Sequence, residues 1–250
     1  MNLENKVAIV TGGARDIGRA ISEKLAACGA KVVVNYFRSP QDGEATVQAI
    51  QAAGGTAIAV AGDMTKQSDV ENLVNETRKA FGDSIDILVN VVGGLVARKT
   101  LLEMDEAFFE SVMKLNVTST FLASKLVVPH MSEGSAIVNL ASQAGRDGGG
   151  PGAAAYATSK GAVMTFTRSM AKELGPKNIR VNCVCPGMIA TTFHDTFTKD
   201  EVRVKVAAGT PLRREGQSAE VADLVVYLAS AESSFMTGAS VDINGGLCFS

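Results

Sequence analysis

Seven short runs rich in valine, isoleucine and alanine recur along the chain, and segments of helical periodicity separate most of them. Strands that alternate with helices favour right-handed crossovers, which make the strands parallel and cover both faces of the sheet. The sequence therefore predicts a three-layer α/β fold around a doubly wound parallel sheet. The strand-like runs are Lys6–Thr11, Lys31–Asn35, Thr56–Ala61, Ile85–Asn90, Ser135–Ala141, Ile179–Val184 and Ser240–Asn244.

The helical segments have recognisable ends. Apolar residues recur at helical spacing from Ile17 up to Gly29, and glycine commonly follows the last turn of a helix. Another helix is expected to begin at Ser68. Asp105 is a suitable cap for a long helix that runs toward Pro129.

Composition limits the classes of function. The 250 residues include 24 Lys and Arg against 26 Asp and Glu, which gives a formal net charge of −2. A chain so close to neutral lacks the basic surface of a general nucleic-acid binder or of a protein that binds anionic lipids. No apolar run approaches the roughly 18 residues of a membrane span, so we expect a cytoplasmic protein with a small-molecule partner. No linker, repeat or charge block divides residues 1–250, which are expected to form one domain.

The four cysteines and two histidines suggest neither a disulfide framework nor a metal centre. Cys28, Cys183, Cys185 and Cys248 form no C-x-x-C pair. Cys183 and Cys185 lie two positions apart in a predicted strand, so both side chains point to one sheet face. Buried free thiols and the absence of a bound metal are therefore expected.

The first predicted strand ends in a glycine-rich turn that opens directly into a helix. The turn contains Gly12, Arg15, Asp16, Ile17 and Gly18. Glycines let the backbone approach a pyrophosphate, whose negative charge is favoured at a helix N-terminus. The turn therefore suggests a nucleotide cofactor, although Asp16 stands where a third glycine is expected and an ordinary strand-to-helix turn would also fit.

The end of the second strand indicates which nicotinamide cofactor would bind. NAD sites usually place Asp or Glu about 20 residues after the glycines, where it accepts hydrogen bonds from the ribose. Here the strand is followed by Tyr36 and Arg38, and the first carboxylate is Asp42. Arg15 and Arg38 suit a 2′-phosphate, to which a guanidinium makes charge-assisted bidentate hydrogen bonds. NADP(H) is favoured over NAD(H), with solvated surface arginines as the alternative interpretation.

A catalytic group is suggested after the fifth strand. Tyr156 and Lys160 lie one turn apart on a predicted helix, so both can approach one ligand. A nearby positive charge favours the phenolate and lowers the tyrosine pKa toward the range useful for proton transfer. Ser142 ends the fifth strand and places a hydroxyl at the same edge of the sheet.

With these motifs the chain resembles the short-chain dehydrogenase/reductase family over essentially its whole length. The matching positions are Gly12–Gly18, Asp63, Asn90, Asn116, Ser142, Tyr156-x-x-x-Lys160, Pro186-Gly187 and Val241–Gly246. The resemblance implies a Rossmann fold with seven parallel strands and a homotetramer built partly through the C-terminal strand. It also implies the catalytic tetrad Asn116, Ser142, Tyr156 and Lys160.

The resemblance assigns a role to each tetrad member. Tyr156 would exchange a proton with the substrate oxygen, while Lys160 would lower the tyrosine pKa and bind the nicotinamide ribose. Ser142 would polarise the carbonyl, and Asn116 would hold a water that relays protons to Lys160. Further cofactor contacts implied by the family are Asp63 and Met64 at adenine, Asn90 and Gly93 at the adenine ribose, Pro186 and Gly187, and Ile189 and Thr191 at the nicotinamide amide.

Two departures from the family pattern stand out. Asp16 replaces a glycine and would bring a carboxylate near the pyrophosphate, weakening binding unless Arg15 or Arg19 pairs with it. On this view Asp16→Gly is expected to tighten NADPH binding. Val91 replaces a second asparagine that usually braces the central strands.

The substrate region is expected to lie in loops. Arg98, Arg146 and His194 are candidates for orienting a polar or carboxylate-bearing substrate, with solvated loop charges as the alternative. Residues 187–217 match the family's variable lid, and an amphipathic lid helix is expected from the apolar residues Phe193, Phe197, Val202 and Val206.

The sequence favours an NADPH-dependent carbonyl reductase or alcohol dehydrogenase. A small polar ketone or aldehyde, including a sugar or sugar acid, fits the mixed polar and apolar residues, as in glucose dehydrogenase-like members of the family. A 3-oxoacyl-acyl-carrier-protein reductase is the alternative, although Val128–Gly134 offers few basic residues for an acidic carrier protein. A nucleotide sensor without turnover is the remote alternative.

Overall fold

The predicted parallel sheet is present in the computed structural model, which describes residues 1–249. Its strands lie in the order β3-β2-β1-β4-β5-β6-β7, and all neighbouring pairs are parallel. The strands are β1 Val7–Thr11, β2 Lys31–Tyr36, β3 Thr56–Ala61, β4 Ile87–Asn90, β5 Ala136–Leu140, β6 Arg180–Pro186 and β7 Ser240–Ile243. Every predicted strand is confirmed, with ends that differ by at most two residues.

Helices cover both faces of this sheet. They are α1 Asp16–Ala27, α2 Pro40–Ala52, α3 Gln67–Phe81, α4 Glu106–Met113, α5 Ser119–Val127, α6 Ala144–Asp147, α7 Ala154–Leu174, α8 Thr192–Phe197, α9 Asp200–Gly209 and α10 Ser218–Ala229. One apolar cluster joins the sheet to α1, α2 and α10, with Ile21, Ile50 and Val225 among its buried residues. Another joins the opposite face to α3, α5 and α7, with Leu73 and Val127 buried in it. These two clusters confirm the three-layer, doubly wound architecture.

The long helix expected after Asp105 is interrupted at its centre. Asp105 caps it as predicted, because its carboxylate accepts a hydrogen bond from the Phe108 amide at 2.8 Å. Between α4 and α5, residues Lys114–Thr118 form a π-helical turn. There the Asn116 side chain donates to the Val112 carbonyl at 2.9 Å, and such an inserted side chain accompanies the wider turn.

The strand order gathers the candidate residues at one edge. Strand β1 lies between β2 and β4, so the connections run outward in both directions from this point. Ligands of such sheets bind in the crevice that this reversal leaves beyond the carboxyl ends of the strands. Within residues 1–249, no helix is long and apolar enough to cross a membrane.

Candidate active site

The glycine turn after β1 is packed too closely for larger residues. A Cβ atom at Gly18 would lie 2.0 Å from the carbonyl oxygen of Gly12, and Gly12 itself has a φ of +63°. The Gly12 amide donates to Oδ1 of buried Asn35 at 3.0 Å, and Nδ2 of Asn35 donates to the Gly62 carbonyl at 3.1 Å. This compact backbone at the start of α1 fits a pyrophosphate. Asn35, at the end of β2, is a supporting residue that the sequence analysis missed.

Polar side chains join the ends of the central strands. The Thr11 hydroxyl accepts a hydrogen bond from the Val91 amide at 3.1 Å, which ties β1 to the segment after β4. Buried Asn90 donates to Asn139 at 2.9 Å and to Ser124 at 3.2 Å. These bonds brace β4 against β5 and α5. They are made by Asn90 alone, because Val91, which replaces the second asparagine of the family pattern, has no side-chain amide. The Asn90 amide nitrogen therefore serves the sheet, whereas its buried Oδ1 has no hydrogen-bond partner within the described residues, and a contact with a cofactor ribose stays a prediction.

The π-helical turn holds Asn116 against the loop after β4. Asn116 is fully buried, accepts from the Gly94 amide at 3.0 Å and donates to the Gly94 carbonyl at 2.9 Å. A Cβ atom at Gly93 would lie 2.5 Å from Oδ1 of Asn116 and 2.9 Å from Nζ of Lys160. Gly93 therefore lies beside two members of the predicted tetrad and allows their close approach.

Tyr156 and Lys160 occupy the first turns of α7 and face the end of β5. Burial raises the pKa of Tyr156, and a hydrogen bond with Ser142 opposes this rise. Nζ of Lys160 donates to the Leu140 carbonyl at 2.7 Å and lies 5.8 Å from the centre of the Tyr156 ring. Burial lowers the pKa of Lys160 to about 8.

The expected downward shift of the tyrosine pKa is therefore wrong for the protein alone. Lys160 is turned toward a backbone carbonyl, and the burial of the phenol decides the direction of the shift. The four predicted residues are nevertheless brought together at one edge of the sheet. They offer a hydroxyl, a phenol, an ammonium and an amide, which is a set suited to moving a proton to or from a polarised oxygen.

The chain is similar over its whole length to known oxidoreductases. The family model described as enoyl-(acyl carrier protein) reductase matches residues 12–248. An uncharacterized oxidoreductase of Methylorubrum extorquens is 38% identical over 247 residues, with 98% of each chain covered. The 3-oxoacyl-acyl-carrier-protein reductase of Staphylococcus epidermidis is 35% identical, with 97% of this chain and 99% of the relative covered.

Solved structures agree with these relatives. The short-chain dehydrogenase/reductase of Serratia marcescens superposes with a TM-score of 0.93 at 34% identity, with 99% of each chain covered. The chain belongs to the short-chain dehydrogenase/reductase family. A metagenomic blue fluorescent protein in complex with NADPH superposes with a TM-score of 0.93 at 33% identity, covering 100% of both chains. An NADH-dependent reductase responsible for alginate metabolism gives 0.90 at 33% identity, with 99% of each covered. This chain is accordingly an NAD(P)-dependent oxidoreductase.

In this short-chain dehydrogenase/reductase, Arg15 and Arg38 are both exposed near the end of the cofactor crevice. The Arg38 guanidinium lies 5.0 Å from the centre of the Phe37 ring. Within the described part of the chain, neither arginine forms an ion pair with a carboxylate. Tyr36 packs its ring against α2, where a Cβ at Gly43 would lie 2.6 Å from it. The two charges thus remain free to bind an anion.

The two residues predicted around adenine differ in where their side chains lie. Oδ1 of Asp63 accepts hydrogen bonds from the amide and the hydroxyl of Thr65, at 3.0 and 2.7 Å, which fixes Asp63 in the turn after β3. Met64 is only 2% exposed and belongs to the apolar core beneath α3. Because that side chain lies in the core, any contact with adenine would come from the Met64 backbone, and the contact itself stays a prediction.

The segment after β6 leads from the sheet into the lid. The Gly187 amide donates to the Ile243 carbonyl at 3.0 Å, so β7 fixes the position of the predicted Pro186-Gly187 turn. Ile189 is buried and pairs with Gly216 in an isolated parallel bridge. Thr191 precedes the first turn of α8, and its hydroxyl donates to the Ile189 carbonyl at 3.1 Å.

Two arginines predicted to orient a substrate also join separate segments of the protein. Arg146 forms an ion pair with Asp242 at 2.6 Å and donates to the Ser240 carbonyl, which ties α6 to β7. Arg98 donates to the carbonyls of Phe197 and Pro151, each at 2.9 Å. Protein partners bind the Arg146 guanidinium and two of the three nitrogens of the Arg98 guanidinium, and a contact of either residue with a substrate stays a prediction.

The predicted lid helix is two helices, α8 and α9, separated at Thr198 and Lys199. On α8, the rings of Phe193 and Phe197 lie 5.2 Å apart, and Phe193 lies 5.8 Å from the Tyr156 ring. Val202 on α9 is 46% exposed, so the expected continuous apolar face is wrong.

His194 is half-buried on α8. Its Nδ1 lies 2.9 Å from the Thr198 hydroxyl, and its ring lies edge-on to Phe193 at 5.1 Å. Burial lowers the pKa of His194, which favours the neutral imidazole. A contact between His194 and a substrate stays a prediction.

Proposed function

We propose that this protein is an NADPH-dependent carbonyl reductase that interconverts a small polar ketone or aldehyde and its alcohol. The observation that carries the proposal is the convergence of Ser142, Tyr156 and Lys160 beside Asn116 at the edge of the cofactor crevice. The same edge carries the glycine turn and two unpaired arginines, so the acid–base group and the nucleotide site are adjacent.

Each residue of the site has one role in the proposed reaction. When bound, the nicotinamide supplies or accepts the hydride. Tyr156 donates its phenolic proton to the carbonyl oxygen during reduction, and Ser142 stabilises the charge that develops on that oxygen. Lys160 has a pKa of about 8 and is mostly protonated at neutral pH. Its ammonium can return a proton toward Tyr156, and a water held at Asn116 would then relay a proton to Lys160.

The preference for NADP(H) rests on charge. Arg15 and Arg38 are available for a 2′-phosphate. NAD(H) sites usually have a carboxylate at the end of the second strand to bind the ribose, but here β2 ends with Tyr36. The other cofactor contacts proposed are Gly12, Ile17, Gly18, Asp63, Asn90, Gly93, Pro186, Gly187, Ile189 and Thr191. NADH remains the competing cofactor to be measured.

The substrate is proposed to be small because aromatic residues border the site. Phe193 lies on Tyr156 and forms one wall, while the Ser142 hydroxyl provides the polar contact. A sugar-like or sugar-acid carbonyl fits this mixture. The 35% identity to a 3-oxoacyl-acyl-carrier-protein reductase keeps an acetoacetyl thioester as the competing substrate.

A substrate panel tests the proposal. Oxidation of NADPH and NADH is followed with aldoses, uronate-derived ketones and an acetoacetyl thioester. Turnover of a small polar carbonyl with NADPH supports the proposal, whereas preference for the thioester overturns the proposed substrate class. Binding of NADPH without any turnover would indicate a nucleotide sensor.

Tyr156→Phe provides the matched control for the mechanism. It removes only the phenolic hydroxyl, so kcat should fall by roughly 10²- to 10⁴-fold. NADPH should still bind with a Kd within about twofold of the unaltered protein, since the ring itself is retained. Full turnover by this variant would contradict the assigned proton donor.

We also propose one domain over residues 1–250, with residues 187–217 as its lid, and a cytoplasmic homotetramer. The cysteines of the described chain are free thiols, which agrees with a reducing compartment.

A further inference from the structure

Asp16 is the residue of the glycine turn that departs from the family pattern, and its conformation is unusual. Its φ is +49°, in the left-handed region that glycine normally occupies. Aspartate tolerates this region better than most residues, although it is less suited to it than glycine. Such a conformation persists where the surrounding contacts hold it, so its partners are informative.

Both carboxylate oxygens of Asp16 bind one residue of the lid. Oδ1 accepts a hydrogen bond from the Thr192 amide at 3.1 Å, and Oδ2 accepts one from the Thr192 hydroxyl at 2.5 Å. Within the described residues Asp16 pairs with neither neighbouring arginine: Arg19 binds Glu23 at 2.7 Å, and Arg15 forms no ion pair. The glycine turn and the lid are therefore joined directly.

This contact reaches the catalytic centre in a single step. Thr192 begins helix α8, and the next residue, Phe193, lies against the Tyr156 ring at 5.8 Å and an interplanar angle of 39°. Whatever fixes the first turn of α8 also fixes the aromatic wall beside the reacting group.

We propose that Asp16 is a positioning residue that fastens the lid helix α8 to the cofactor turn, so that it slows departure of the nicotinamide cofactor. The proposal rests on the proposed function, since it takes the glycine turn as the cofactor site. The two hydrogen bonds of Asp16 resist opening of the lid, while its negative charge repels the pyrophosphate of the cofactor. Removing the fastening alone must therefore speed cofactor release, which is opposite to the change expected from removing charge alone.

Four variants separate fastening from charge. Thr192→Val removes the hydroxyl bond and leaves the Asp16 charge, whereas Thr192→Ser keeps the hydroxyl. Asp16→Asn removes the charge, but its amide can still bond Thr192, and Asp16→Gly removes both. Thr196→Val is the matched control, because Thr196 is an exposed threonine of the same helix whose hydroxyl bonds the Thr192 carbonyl rather than Asp16.

The first measurement is the dissociation rate of NADPH, followed by its fluorescence after trapping with excess NADP⁺. Thr192→Val should speed dissociation by roughly 3- to 10-fold, since it loses one hydrogen bond to a charged group near the surface. Thr192→Ser and Thr196→Val should stay within about twofold of the unaltered protein. In an Asp16→Gly background, Thr192→Val should add no further increase, because the fastening is already absent.

Two outcomes of this experiment would overturn the proposal. If Asp16→Asn slows release as much as Asp16→Gly does and Thr192→Val changes nothing, Asp16 acts only through its charge. If Thr192→Val speeds release equally with and without Asp16, Thr192 contacts the cofactor directly.

A second measurement needs no cofactor and so separates this proposal from the proposed function. Trypsin should cleave the lid at the exposed residues Lys199 and Lys205, and cleavage should be faster by roughly 3- to 10-fold in Thr192→Val and in Asp16→Gly. Thr196→Val should match the unaltered protein. Equal cleavage of all variants would reject the fastening, even if the enzyme proves to use NADPH. Failure of the unaltered protein to bind NADPH or NADH would reject the proposed function alone.

Discussion

At the residue scale, Ser142 lowers the pKa of Tyr156, although burial of the phenol outweighs this effect. Burial raises the pKa of the phenol, and the Ser142 hydrogen bond is the interaction that opposes this rise. In Ser142→Ala the burial acts alone, so the tyrosine pKa should move further upward. Oxidation of the alcohol needs the phenolate, and its rising pH limb should therefore move to higher pH. The profile of kcat/KM for alcohol oxidation against pH measures this shift.

The size of the rate loss provides a second readout for the same variant. Loss of a hydrogen bond to the developing oxyanion should reduce kcat by roughly 10²- to 10³-fold. Ser142→Thr retains a hydroxyl and should recover most of the pH profile. An unmoved pH limb in Ser142→Ala would show that the serine serves only to hold the substrate.

Arg38 should determine how well the enzyme distinguishes the two nicotinamide cofactors. Arg38→Ala removes a guanidinium that is free to bind the 2′-phosphate, so the Kd for NADPH should rise by roughly 10- to 150-fold. Binding of NADH should hardly change, because NADH lacks this phosphate. Arg168→Ala is the control, since Arg168 is an exposed arginine on α7. Equal losses for both cofactors would exclude phosphate recognition by Arg38.

The sequence predicts which residue types gather at the site better than it predicts what they touch. Tyr156 and Lys160 follow from helical spacing, and Ser142 follows from the end of a strand. The pairing of Arg146 with Asp242 could not be foreseen, because it joins residues 96 positions apart in the chain. The binding of Asp16 to Thr192 spans 176 positions and depends equally on the completed fold.

At the element scale, Arg98 fixes the far end of the lid helix α8. Its guanidinium bonds the carbonyls of Phe197 and Pro151, so it joins α8 to the glycine-rich loop before α7. Arg98→Ala should loosen the Phe193 wall and raise KM for the carbonyl substrate by roughly 3- to 10-fold. Steady-state kinetics with saturating NADPH measure this effect.

Arg98→Lys separates this clamp from a direct role in binding substrate. Lysine keeps the charge but lacks the forked pair of donors that reaches both carbonyls. If Arg98 acts as a clamp, KM should stay nearly as high in Arg98→Lys as in Arg98→Ala, for neutral and for anionic carbonyl compounds. Recovery with anionic compounds alone would show that Arg98 binds the substrate, as the sequence first suggested.

Periodicity predicts the elements of this fold wherever apolar burial decides the conformation. All seven strands follow from their apolar runs, and the cap at Asp105 follows from the preference of aspartate for the start of a helix. The π-helical turn at Lys114–Thr118 does not follow from periodicity, because the polar side chain of Asn116 bonds the backbone there. The division of the lid into α8 and α9 is missed for a similar reason. The apolar spacing continues through the break at Thr198 and Lys199, although Val202 beyond it is exposed.

At the scale of the whole molecule, the site combines a rigid frame with a fastened lid. Buried polar bonds connect Thr11, Asn90 and Asn139 across the ends of the central strands. The lid is instead tied by exposed contacts at Asp16 and Arg98. Exposed hydrogen bonds open more readily than buried ones, so substrate entry should require movement of the lid rather than of the sheet.

The open edge of the sheet argues for association between copies of the chain. Strand β7 pairs only with β6 in the described structure, and an unpaired edge strand with apolar neighbours favours contact with another chain. Beside it, Leu212 and Phe249 are 62% and 85% exposed and border a concavity of about 400 Å³. Burial of these side chains between subunits would supply the apolar contact of the proposed homotetramer.

Phe249→Asp tests this arrangement. A carboxylate at the buried centre of an interface would be desolvated, so the tetramer should dissociate into smaller species. Light scattering coupled to size-exclusion chromatography measures the mass directly. Phe235→Asp is the control, because Phe235 is fully exposed but does not line the concavity beside β7. If only the Phe235 variant dissociates, the copies associate through another face. A tetramer that survives Phe249→Asp would likewise exclude Phe249 from the interface.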